Sequence, residues 1–341
     1  MFCSRFKVQR SRLLKCLAVA ASLCIIAGAA WAQDVKQAAE AEGKMMFYAA
    51  FNAADSKTLV DGFKQLYPKI DATFYRATDA QLMERILTEN RAGKPLWDVV
   101  MMTTFYGYNL KKRGLFAVYD SPERKFFRDG YKDPQAMWTS LYTNYAAFGY
   151  NTRNVPKTSV PKSFADLLKP EWKGNVGLDS RPYEWFGTTI KAMGEEKGLA
   201  YMRELAKQAT LRNGRTILSQ LVAAGEFKGA LTAYSQTFET LKPAGAPVDW
   251  VYLNPVFANT HPVGLAAKAP HSNAGKLFID FLLSKRGQEL VRGMSRIPDR
   301  TDTPPDQVRF IEGIKPAFAP TEVLENFEGY AKTFHEVFGG R

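Results

Sequence analysis

The chain has 341 residues, with 46 Lys and Arg against 34 Asp and Glu, and its three cysteines, Cys3, Cys16 and Cys24, all fall near the start. The basic residues are scattered and no Gly-flanked aromatic pair marks an RNA-binding sheet, which argues against a nucleic-acid partner. GxSxG and HExxH are both absent, no cysteine follows Cys24, and the few histidines leave few bases, so the sequence is read as no enzyme.

Taken in chain order, Arg5, Lys7, Arg10, Arg12 and Lys15 precede the apolar stretch CLAVAASLCIIAGAA, and Ala30, Trp31 and Ala32 supply small residues before Gln33. That pattern predicts a secretory signal peptide over residues 1–32, cleaved after Ala32. Its apolar run is shorter than the roughly 20 residues of a spanning helix, and bulky Leu23 disfavours a lipid anchor at Cys24. Cleavage leaves 41 basic against 34 acidic residues, a net charge near +7 that favours acidic partners only weakly. The expectation is a soluble periplasmic protein whose core holds without a disulfide.

From Gln33 short β-type runs alternate with helical periodicity: KMMFYAAF and SKTLVDGFKQLY, IDATFYR and DAQLMERILTENRAG, then WDVVMMTT and a Tyr-rich turn. Asp79 is placed to cap the second of these helices. Such alternation implies parallel strands with crossover helices, an α/β layer. The extended run LYTNYAAFGYNTRNVP leads to a second α/β region: SFADLLKPEWKG (helix), NVGLDS (strand), EWFGTTIKAMG (helix), ATLRNGRT (strand and turn), ILSQLVAAGEF (helix) and GALTAYS (a flat, buried strand). APVDWVYLNPVFANTHPVGLAA is extended again, and HSNAGKLFIDFLLSKRGQELV is amphipathic. Two extended connectors bracketing the second region suggest that the chain crosses over and returns.

PKSFADLLKPEWKGNVGLDS, RNGRTILSQLVAAGE and APHSNAGKLFIDFLLSKRGQELV resemble segments of the solute-binding proteins of ABC transporters, closest to their ferric-iron-type branch, with the likeness running from about Lys44 to Leu290. The resemblance implies a two-lobed α/β periplasmic binding protein of the type II kind, with two hinge strands and a ligand cleft between the lobes. Lobe 1 is expected to be discontinuous, residues 33–142 and 256–341, with lobe 2 at 143–255. It also implies hinge closure on a small-molecule or ion ligand, delivery to an ABC permease, a monomer and no cofactor. A ligand-sensing role for a signalling receptor keeps the same fold.

Ligands of open α/β sheets bind beyond the carboxyl ends of the strands, where helix N-termini present free NH groups. The junctions there offer Asn52, Arg76, Thr78, Asp79, Thr103 and Thr104 in the first lobe, and Ser180, Arg181, Asn213 and Arg215 in the second, with Tyr234 at the end of GALTAY. Several of these are equally explained as helix caps, as is Thr216, and Arg76 as a salt bridge to Glu84. As the sharper alternative, Arg76 forks two bonds onto an anion, and its replacement by Ala weakens binding at least tenfold. Ferric-binding relatives place two adjacent tyrosines on the last strand; here Ser235 follows Tyr234, Asn52 stands where a first-lobe His is expected, and His261, His271 and His335 fall elsewhere. The expected solute is therefore a small organic anion. Ferric iron is the alternative, with Tyr234 as a ligand and Tyr48, Asp55 or a bound anion completing its coordination.

Overall fold

The computed structural model describes residues 34–339, so the expected signal peptide lies outside the described residues. No described helix is long and apolar enough to cross a membrane. After a helix at 34–42 (α1), strand β1 (Lys44–Ala49), helix α2 (Ala53–Leu66), β2 (Asp71–Arg76), α3 (Asp79–Arg91), β3 (Val99–Met101) and α4 (Thr104–Lys112) follow. β1 lies between β2 and β3, parallel to both. This is the layer that the strand–helix alternation predicts.

The long strand β4 (Thr139–Asn151) then leads to β5 (Val176–Asp179), α5 (Tyr183–Met193), α6 (Glu195–Ala206), β6 (Ala209–Arg212), α7 (Arg215–Ala224), β7 (Gly229–Tyr234), α8 (Ser235–Leu241) and β8 (Val248–Val251). β9 (Val256–Leu265) returns, followed by α9 (Ser272–Leu283), α10 (Lys285–Gly293), β10 (Pro316–Ala317), α11 (Thr321–Glu325) and α12 (Phe327–Phe338). The sheet runs β2-β1-β3-β9-β4-β7-β5-β6, with β8 on β4 and β10 on β9. β4 and β9 are antiparallel and carry the chain between the two parallel layers: β9 pairs with β3 at Val263–Met101, and β4 with β7 at Ala146–Tyr234. The fold is thus α/β and two-lobed, with two hinge strands.

One core gathers Phe47, Phe63, Phe278 and Phe281 around the first layer. Another gathers Phe148, Trp172, Trp185 and Phe186, and it takes Val323, Phe334 and Phe338 from the C-terminal helices.

Several local expectations are corrected. Thr78, not Asp79, caps α3, in a reciprocal box with Gln81. The Tyr-rich turn is helix α4, and SFADLLKPEWKG forms two 3₁₀ turns interrupted at Lys169, because Pro170 cannot extend the first. GALTAY is not flat: Thr232 sits at φ 66° where the β4–β7 register shifts between Ala147 and Gly149, a bulge beside the site.

Candidate functional site

The carboxyl ends of β1, β2 and β3 face those of β5 and β7 across the hinge strands, and most of the expected residues gather there in two sets. In the first lobe, Asn52 caps α2 by accepting from the Asp55 amide at 2.8 Å. Arg76 uses Nε on the Phe51 carbonyl at 3.0 Å, bracing the β1–α2 loop rather than pairing with Glu84. Asp79 crosses to the next junction, where its Oδ1 accepts from the Thr103 amide at 2.8 Å, although Thr103 makes no side-chain cap of its own. Burial raises the Asp79 pKa, and the Thr103 amide opposes the rise. Thr104 turns to the hinge, its Oγ1 lying 2.8 Å from Thr260 Oγ1 and 3.1 Å from the Thr260 carbonyl.

In the second lobe Asp179, buried at the end of β5, organises the turn into α7: it accepts from the Gly214 amide and from Arg215 Nε, each at 3.3 Å. Gly214 is the N-cap with φ 101°, a backbone that glycine alone adopts without strain, so Thr216 is not the cap. Arg215 spreads over the Tyr234 ring, 4.8 Å from guanidinium carbon to centroid. Burial lowers its pKa while Asp179 and Glu184 raise it, and an arginine so placed stays charged. Tyr234 is half-buried, and its hydroxyl accepts from Asn259 Nδ2 of β9 at 2.9 Å, which leaves its own proton free to donate. Ser180 donates its amide to the Arg212 carbonyl at 2.9 Å, and exposed Arg181 reaches Asn213 Oδ1 at 3.4 Å, so these three stand at the rim.

Residues that the sequence reading missed complete the floor. Glu184, in the first turn of α5, faces Arg215, Asp79 and the Phe105 amide of α4, and so reaches from one lobe to the other. Burial pushes its carboxyl up to about 7; Arg215 and the Phe105 amide favour the charged form, and Asp79 disfavours it. Its Oε1 is shut off from solvent and has no hydrogen-bond partner, and the same holds for Oδ1 of Asn259. His261, two residues along β9, stacks on Tyr142 at 3.9 Å. Burial, then the charge of Arg296, drives its pKa down to about 3, so it is neutral. Arg296 in turn pairs with Asp55 at 2.9 Å and lies over the Tyr142 and Phe51 rings. A signal for Glu184 was available: it is the acid nearest the start of a helix that follows a ligand-side strand.

Two iron-ligand expectations lose their support here. Tyr48 is fully buried and donates to Glu89 at 2.7 Å, and Asp55 is engaged by Arg296 and Asn52. Among the described residues no group of three His, Cys, Asp or Glu side chains is placed to hold a metal ion.

A cavity of about 780 Å³ lies on the other face of the hinge, lined in part by Thr104, Lys111, Lys132, Trp138, Thr260 and Leu324. β9 offers it Ala258, Thr260 and Pro262, whereas Asn259 carries the contact with Tyr234, as strand alternation requires. Two of its cations are already engaged: Lys111 pairs with Asp133, and Arg124 binds the Trp138 and Asp133 carbonyls. The strand ends around Arg215 and Tyr234 are the better site on chemical grounds.

Comparison with known proteins agrees with this architecture. Residues 94–322 match the family of bacterial extracellular solute-binding proteins. The Fe(3+)-binding periplasmic protein of Serratia marcescens is 24% identical over 267 residues, 75% of this chain and 78% of the relative. A putative 2-aminoethylphosphonate-binding periplasmic protein of Salmonella typhimurium is 26% identical over 209 residues, 58% of this chain and 60% of that one. The crystal structure of iron-bound HitA from Pseudomonas aeruginosa superposes with a TM-score of 0.74 at 19% identity, covering 86% of this chain and 99% of HitA, so the likeness to the ferric-iron-type branch holds for the fold. The chain belongs to the bacterial extracellular solute-binding proteins.

Proposed function

We propose that this protein is the periplasmic substrate-binding component of an ABC importer, which captures a small organic anion by hinge closure and presents it to a membrane permease. The observation that carries this reading is the Arg215–Tyr234 pair at the end of β7. It places a fixed guanidinium and a free hydroxyl donor where the lobes meet, and both suit a phosphonate, phosphate ester or carboxylate. The relative with a phosphonate in its name supports the same class.

Closure fits this arrangement, because the approach of α4 in the first lobe to Glu184 and Arg215 in the second exists only when the lobes meet, while Asn259 reaches Tyr234 from the hinge itself. A solute bridging them therefore shifts the population to the closed form. The lobes are proposed to divide at 143 and 256, with α11 and α12 riding on the second lobe, whose core they complete. No bond of the solute is made or broken in this scheme.

Ferric iron is the alternative, carried by the names of the Serratia and Pseudomonas proteins. It would make Tyr234 a phenolate ligand without a tyrosine neighbour. A thermal-shift screen of the mature, ligand-stripped protein decides between them. It compares ferric iron, with and without carbonate or citrate, with phosphonates, phosphate esters and carboxylates. A saturable rise in Tm with an organic anion supports the proposal; a rise with iron alone, with a visible phenolate-to-iron colour, overturns it.

A further inference from the structure

The charges around Arg215 do not match a plain anion. Asp79 and Glu184 face the cluster while its guanidinium, Arg215, is already paired with Asp179, so a charged Glu184 has no cation of its own. Arg296 does not supply it, being paired with Asp55. Two buried acceptors beside this cluster are also unused: Glu184 Oε1, and Oδ1 of Asn259, a residue 6% exposed. Buried oxygens without donors are costly and rare in native proteins. One comes from α5 of the second lobe and the other from a hinge strand, and both residues adjoin the Arg215–Tyr234 pair.

We infer that the solute is zwitterionic, its ammonium received by Glu184 Oε1 and Asn259 Oδ1 while its anionic group takes the Arg215 guanidinium and the Tyr234 hydroxyl. This rests on the organic-anion reading and narrows it. The ammonium satisfies both orphan acceptors and balances the charge that Glu184 takes on when it binds, and the anionic group engages donors that are otherwise idle. Glu184 must be charged to receive it, so binding expels the proton that burial holds there. The groups facing Glu184 are Arg215 of α7, Asp79 of α3, and Tyr106 and the Phe105 amide of α4.

Calorimetric titration of the mature protein with matched probes tests this: 2-aminoethylphosphonate, 2-hydroxyethylphosphonate and ethylphosphonate, and β-alanine against propionate. At least one aminated probe is expected to bind tighter than its amine-free partner by about tenfold or more, the scale of one charge-assisted bond. For β-alanine, which has no group of its own titrating there, affinity should rise as pH increases through about 7, and Glu184→Gln should remove the amine preference and, for β-alanine, this pH dependence. Equal binding of the aminated and amine-free probes, or of the hydroxyl analogue, overturns the inference and leaves the organic-anion reading standing. Failure of every organic probe, with a saturable response to ferric iron, removes both.

Discussion

Arg215 and Tyr234, nineteen residues apart in sequence, form a stacked pair at 4.8 Å that joins the start of α7 to the end of β7. The guanidinium is held at Nε by Asp179, and among the described residues its two Nη groups make no hydrogen bond. An arginine prepared in this way by a buried carboxylate has its geometry set before a ligand arrives, which lowers the entropic cost of binding.

Replacing Arg215 by Ala should weaken binding of the solute found in the screen by tenfold or more, the scale of about 1.5–3 kcal/mol for a charge-assisted bond. Arg76→Ala, at a residue that braces the β1–α2 loop, should have a smaller effect than Arg215→Ala. Equal losses at both would return Arg76 to direct contact. Tyr234→Phe keeps the stack and removes only the hydroxyl, so an organic anion should lose affinity modestly, whereas iron binding through a phenolate would vanish.

Asp79 joins the starts of two helices, beginning one and anchoring the next through the Thr103 amide. Asp79→Ala leaves that part-buried amide without its acceptor and should destabilise the fold by about 1–3 kcal/mol. Urea melts of the unliganded protein measure it. A change below about 0.5 kcal/mol would mean that water or the Thr103 side chain replaces the carboxylate, as ordinary surface substitutions behave.

What was legible in the sequence follows from which forces are local. The strand–helix alternation and the two crossings could be read because periodicity and turn residues act within a dozen positions. Arg215 and Tyr234 stand at junctions and were found by that rule. Glu184 and Asn259 were missed for the opposite reason: one begins a helix like any acid, the other lies mid-strand in β9, and only long-range packing buries them. Likewise α8 is too short to show a period, and α11 and α12 follow a loop-rich stretch whose partner, α5, lies far upstream.

The C-terminal helix should be part of the second lobe's core and not an appendage. Phe334 is fully buried, edge-on to Phe186 at 5.4 Å and stacked on Phe338 at 4.7 Å. Phe334→Ala should cost about 3–5 kcal/mol through the cavity it leaves. Denaturant melts read the loss directly. A cost under about 1 kcal/mol would show that α12 detaches freely.

Stability should also carry a pH signature from Asp299, which is buried beneath the hinge and accepts from Thr143 Oγ1 at 2.9 Å. Burial pushes its carboxyl up to about 7, against the opposing Ser140 and Thr143 hydroxyls. Its unfolded value is about 3.9. Between about pH 4 and 7 the native state thus binds more protons than the unfolded chain, and this group's contribution to stability falls as pH rises, then levels off. Asp299→Asn imitates the protonated acid. It should match the parent near pH 4 and exceed it above pH 7, by at most about 4 kcal/mol for a shift of about three units. Parallel urea melts of the two proteins at pH 4.5, 6 and 7.5 make the comparison, since titrations elsewhere cancel in the difference. A gap between the two that does not widen with pH would mean that Asp299 is already ionised in the folded protein, held by its hydroxyl donors against the cost of burial.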